Sequence, residues 1–98
     1  MAAGSKRRIR VRPVKGFKAI YKAFVRQAPA IKRTIRVFNE VKRKIPPEPL
    51  PRGMKDHQLK GKWNGHRECH LAPNVLLIYK QEGDNITLIT IVGHDALK

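Results

Sequence analysis

The spacing of apolar residues changes period along this chain, and each change marks an expected element. From Lys6 to Arg12 the residues KRRIRVR alternate, with Ile9 and Val11 on one side and Arg8, Arg10 and Arg12 on the other, the two-residue period of a half-buried strand. Pro13 closes it. Three arginines on an outer face suit the edge of a sheet, where charge discourages edge-to-edge pairing. The period then lengthens: Phe17, Ile20, Tyr21, Phe24, Val25 and Ala28 recur at three- and four-residue spacing, with Lys15, Lys18, Lys22 and Arg26 elsewhere on the wheel. Pro29 fits the first turn of a second helix. That helix sets Ile31, Ile35, Phe38, Val41 and Ile45 inward and Lys32, Arg33, Arg36, Arg43 and Lys44 outward.

Pro46 to Gly53 (PPEPLPRG) holds four of the seven prolines and can continue neither a helix nor a central strand, so it reads as a stiff crossover. Beyond it the two-residue period returns. Strands are expected at Gly61–Trp63, Arg67–Leu71, Asn74–Gln81 and Ile86–Val92, with a hairpin turn at Glu82 to Asn85. The last two strands are apolar on both faces and belong at the sheet centre. The predicted fold is α+β: a curved, mostly antiparallel sheet with an N-terminal strand and a helical hairpin packed on one face, the other face open for function.

Composition narrows the function. Ninety-eight residues support one core, so a single domain over 1–98 is expected, with residues 1–5 as a disordered lead-in. One cysteine leaves no disulfide framework, which suits a reducing cytoplasm. No apolar h-region follows the basic N-terminus, and no run approaches the roughly 18 apolar residues of a membrane span, so a soluble, unprocessed, cytoplasmic protein with no membrane partner is expected. Charge is the strongest signal: 22 Lys and Arg against 7 Asp and Glu give +15. Residues 1–45 hold 15 basic residues and one acid, Glu40, while the remainder holds seven and six. Such a field attracts polyanions, either nucleic acid or an acidic protein. An ordinary solvated basic face is the alternative, although so large an excess repels itself in the compact state.

The candidate chemistry lies where the charge does not. His57 precedes the predicted meander, His70 falls near the end of a strand, and His94 follows the last one, so strand ends meeting at one edge bring three imidazoles together. Metal-free RNA cleavage needs a base for the 2′-OH proton, an acid for the leaving 5′-oxygen and a cation for the phosphorus. Histidine serves as either acid or base. On spacing alone the signal is weak, and turn or surface histidines are the favoured reading. His66, Glu68, Cys69 and His70 lie close in sequence, but alternate strand residues diverge and there is no second ligand pair, so no metal is expected. Cys69 reads as a small buried apolar residue and His66 as a surface residue.

The stretch KDHQLKGKWNGHRECHLAPNVLLIYK, with Lys55, Asp56, His57, Leu59, Gly61, Trp63, Gly65, Arg67, His70, Pro73 and Tyr79 in register, resembles the YafQ branch of the RelE/ParE toxin superfamily, bacterial toxins of toxin–antitoxin pairs. The likeness extends over residues 55 to 98. It implies a ribosome-dependent endoribonuclease that cuts mRNA in the decoding site, needs no cofactor and is silenced by a cognate acidic antitoxin. The other implied partners are the ribosome, through rRNA, and mRNA, with DNA reached only through the antitoxin. By position it makes His57, His70 and His94 active-site histidines, Gly65 a turn residue and Trp63 a packing residue.

The sequence also departs from the family pattern. Asn74 stands where a catalytic-site Asp is expected, and an amide cannot accept the proton. Thr90 stands about where an arginine would hold the scissile phosphate, and Lys98 replaces a terminal aromatic. Glu68 offers a carboxylate, and Arg67, Lys80, Lys98 and Lys55 are the candidate RNA-binding cations. These departures motivate an alternative, a toxin or RNA-binding module of the same fold that inhibits by binding without catalysis.

Overall fold

A computed structural model describes residues 8–93, whose elements run β1 (Arg10–Pro13), α1 (Phe17–Gln27), α2 (Ile31–Lys42), β2 (His57–Gln58), β3 (Arg67–Ala72), β4 (Val75–Glu82) and β5 (Asn85–Gly93). The strands form one sheet in the order β1-β5-β4-β3-β2. Only β1 and β5 pair in parallel; the other neighbours are antiparallel. The α+β layout with an N-terminal edge strand is the one the periodicity predicts. The proposed lead-in at 1–5, His94 and Lys98 lie outside the described residues.

The first helix begins where the spacing suggests, at Phe17, and the second begins later than expected. Gly16 has φ +90 immediately before α1, a left-handed conformation that a Cβ disfavours. Pro29 belongs to the turn between the helices rather than to the first turn of α2, since Ile31 opens that helix. Phe17, Ile31 and Phe38 are buried, each contributing roughly 1.5–3 kcal/mol of transfer free energy. Ile20 and Ile45, read as inward, are 36% and 46% exposed. Ile45 lies past the end of α2, where the proline pair that follows prevents a further turn, so helical spacing no longer governs it.

The crossover is anchored by Leu50 and Met54, both buried in the core. Gly61–Trp63 is a 3₁₀ turn rather than a strand, and the short edge strand is instead His57–Gln58. Glycine at 61 with φ +68 explains this, because extended pairing cannot pass through a left-handed residue. Along β3 and β4, Cys69, Leu71, Leu77 and Tyr79 face the helices, where the Phe38 ring meets Tyr79 edge-on at 5.0 Å. Alternation sends Glu68, His70, Leu76 and Ile78 to the second face. That face is not bare: Leu76 and Ile78 are 1% and 0% exposed, so its centre is covered and only its flanks are accessible. A strand apolar on both sides cannot leave one side in water without losing its burial energy.

Candidate active site

Register brings the predicted residues into two groups. His57 pairs with Glu68 across β2 and β3, and Glu68 pairs with Ile78, which pairs with Thr90 of β5. The His57 Nε2 lies 3.1 Å from Glu68 Oε1, and its Nδ1 lies 2.7 Å from the Lys55 carbonyl oxygen. Both ring nitrogens therefore face acceptors; an imidazolium donates to both, whereas either neutral tautomer satisfies one. Lys55 has φ 48, the only positive φ at a non-glycine among the described residues, and this backbone turn presents the carbonyl to the ring. Glu68 is 8% exposed, and its Oε2 is buried with no hydrogen-bond partner among the described residues.

His70 lies two residues further along β3, hence on the same face as Glu68 and diagonal to His57. With Lys55, Thr34 and Gly53 it lines a cavity of about 490 Å³ at the sheet margin. Asn74 is exposed in the β3–β4 turn, next to the pairing of Val75 with Gly93 that ends β5. Lys80 projects from β4 on this second face, with its Nζ 3.8 Å from Glu82. Thr90 places no cation in the Glu68–Ile78 row.

Arg67 does not join this group. Alternation turns it to the helical side, where its Nε and Nη2 donate to Asp56 at 3.3 and 3.1 Å and its Nε also approaches the Tyr79 hydroxyl at 3.3 Å. Tyr79 donates a short hydrogen bond to the same carboxylate. Lys42 completes the cluster, its Nζ 3.8 Å from Asp56, 3.1 Å from Gln81 Oε1 and 5.0 Å from the centre of the Tyr79 ring. Burial lowers the Lys42 pKa from its usual value, with nearby Arg67 in the same direction and Asp56 opposing. For Arg67, burial opposes the charge, but the Asp56 and Tyr79 hydrogen bonds outweigh it and raise its pKa. Tyr79 is raised by burial and by Asp56.

Sequence reading missed Lys42, although Ile31, Ile35, Phe38 and Lys42 follow one helical stripe and the spacing alone points it inward. Cys69 is fully buried as expected, and burial together with Asp56 pushes its thiol up to about 12. Two readings change. Trp63 is half-exposed, outside the core, and meets His66 edge-on at 5.5 Å. His66, read as a surface residue, is half-buried, its Nδ1 enclosed without a hydrogen-bond partner among the described residues. Both changes follow from the 3₁₀ turn, which folds residues 61–66 back on themselves through Gly65 at φ +91. Among the described residues no three His, Cys, Asp or Glu side chains converge to hold a metal ion.

A helical pair over one face of a five-stranded sheet is the architecture of several solved bacterial toxins. The crystal structure of the E. coli DinJ-YafQ toxin-antitoxin complex superposes with TM-score 0.72 at 24% identity, covering 91% of this chain and 96% of that one. A metal-bound toxin from Helicobacter pylori gives TM-score 0.72 at 28% identity, covering 92% and 99%.

Sequence identifies the family. The model of the family described as "Bacterial toxin of type II toxin-antitoxin system, YafQ" matches residues 9–98, and the chain belongs to that family. The mRNA interferase toxin YafQ of E. coli strain K12 is 53% identical over 32 residues, 33% of this chain and 35% of that protein. The putative toxin YafQ of Haemophilus influenzae is 47% identical over 32 residues, 33% and 31% of the two chains. The chain thus matches about a third of the length of these curated relatives.

Proposed function

We propose that this type II toxin is a ribosome-dependent mRNA endoribonuclease working by acid–base catalysis, without a metal or cofactor. The observation that carries the reading is the His57–Glu68 pair at 3.1 Å, with His70 two residues along the same face. The 2′-oxygen attacks phosphorus while the 5′-oxygen departs, leaving a 2′,3′-cyclic phosphate and a 5′-hydroxyl. His57, aimed at two acceptors, carries the proton given to the 5′-oxygen, and Glu68 steadies the charged ring. His70 takes the 2′-OH proton, and Asn74 at the adjacent turn orients the nucleotide. His94 and Lys98 are assigned by motif, as further acid–base and phosphate-binding groups.

In this reading the basic surface meets rRNA, Lys55 and Lys80 meet the message, and a cognate acidic antitoxin blocks the toxin and supplies any contact with DNA. The setting is the cytoplasm. The relatives named mRNA interferases and the solved DinJ-YafQ complex support the activity and the partner respectively. His57→Ala and His70→Ala should each lower mRNA cleavage in a translation reaction by about 10²- to 10⁴-fold while leaving circular dichroism unchanged. Cleavage at the unaltered rate in either variant rejects the assignment. Thr90, which leaves the row without an arginine, favours one second reading, inhibition by binding alone. Stalled ribosomes carrying full-length mRNA with the unaltered toxin would establish it.

A further inference from the structure

We propose that β1 and the residues leading into it are a phosphate track: Arg8, Arg10 and Arg12, continued across the sheet by Lys80, bind the backbone of a single RNA strand on the face that carries His57, Glu68 and His70. This rests on the nuclease reading and adds the path of the substrate strand.

Ile9 is buried and Val11 packs on the core, so alternation turns Arg8, Arg10 and Arg12 to the opposite face. All three arginines are exposed. Register then continues the row, because Arg12 lies beside Thr87 of β5 and Thr87 lies beside Lys80 of β4. Lys80 is two residues from Ile78, the cross-strand neighbour of Glu68, so the track passes beside the buried centre of this face and ends next to the His57–Glu68 pair. Three inter-strand spacings, roughly 14 Å, separate β1 from β3, a length that a few nucleotides bridge.

The chemistry of the edge favours a phosphate backbone over an added peptide strand. Alternate residues of β1 recur every 6.7 Å or so, close to the separation of successive phosphates in an extended strand. Guanidinium groups present forked donors that match phosphate oxygens. No carboxylate among the described residues lies within ion-pair distance of these arginines, and the one ion pair on the track, Lys80 with Glu82, is long and exposed at 3.8 Å. The Arg10 and Val14 amides are used on the β5 side, donating to the carbonyls of Asp84, in the turn just before β5, and Leu88 at 2.8 and 3.0 Å. On the free edge that leaves the alternate residues Val11 and Pro13, and proline has no N–H, so β1 offers a poor ladder for strand addition. A groove of about 510 Å³ runs along this edge and opens towards the helical side, where Arg43 and exposed Ile45 contribute to it.

The test compares Arg8→Gln/Arg10→Gln/Arg12→Gln with Lys32→Gln/Arg33→Gln/Arg36→Gln, which removes equal charge from the outside of α2. Binding of a fluorescent, uncleavable 2′-O-methyl oligoribonucleotide is followed by anisotropy over a salt series. Three lost phosphate contacts on a single strand should reduce the slope of log K against log salt by about 2 and weaken binding at least ~10-fold at low salt. The α2 variant should keep its slope to within about 0.5. Should the triple variant fail to fold, Arg12→Gln/Lys80→Gln should reduce the slope by about 1.4. Equal losses in the ladder and α2 variants, or an unchanged ladder variant, overturn the track. A ladder variant that loses binding to polyglutamate but keeps RNA binding overturns it in favour of an acidic protein partner. His57→Ala separates the two readings: RNA binding retained with cleavage lost supports both, whereas RNA binding retained with normal cleavage rejects His57 as the proton donor and leaves the track standing.

Discussion

On the helical face of the sheet, Asp56 holds Arg67, Tyr79 and Lys42 together, and every partner's polar group is answered. One residue further on in each case, on the opposite face, His57 and Glu68 form a single contact and leave one carboxylate oxygen buried without a partner among the described residues. The same dipeptide steps, Asp56–His57 and Arg67–Glu68, supply both arrangements, because adjacent strand residues point to opposite faces. A satisfied network holds a short edge strand in place; β2 has only two residues to do so by backbone pairing. An incompletely satisfied pair stores the capacity to bind or exchange a proton, which is what a site requires. The fixed side thus gives the proposed site a rigid support.

Removing the centre of the satisfied network should have the largest effect on stability. Asp56→Ala leaves two cations and a buried hydroxyl unmatched, and should destabilise the fold by about 3 kcal/mol in urea unfolding. A loss below about 1 kcal/mol would mean that backbone pairing alone anchors β2. The other face should respond in the opposite sense. Glu68→Gln keeps the shape and removes the charge opposite His57, so stability should change by less than about 0.5 kcal/mol while mRNA cleavage falls about tenfold. A Glu68→Gln variant that loses more stability than activity would reverse the roles assigned to the two faces.

The last effect, seen only at alkaline pH, concerns the core beneath both. The Cys69 thiol is raised to about 12 in the folded protein, so the fold holds this proton more tightly than the unfolded chain does. Its contribution is complete below the ordinary thiol value near 9 and is lost as pH rises from there towards 12. Stability should fall by about 1 kcal/mol between pH 8 and pH 10, and Cys69→Ala should reduce that slope; an identical slope in the alanine variant would assign it to other groups. The native thiol should also resist disulfide reagents at pH 8, since burial withholds the thiolate.

How much of this was readable beforehand depended on the range of the interaction concerned. Local periodicity was enough for β1, both helices and β3 to β5, because each reports a side chain's relation to its immediate neighbours, and residue type was enough for the burial of Cys69. The motif from Lys55 to Tyr79 also indicated the family directly. It could not separate His57 from Arg67 as members of different faces, since that depends on the register of β2 against β3 and on β2 lying at His57–Gln58 rather than at Gly61–Trp63. Lys42 meets Asp56 across fourteen positions of sequence, through a crossover whose path no local pattern specifies. Sequence determined which stretches are strand or helix and that the chain is a basic toxin of the YafQ family. Tertiary structure alone decided which charges neutralise one another and which remain available, because distance and burial in three dimensions set electrostatic energies.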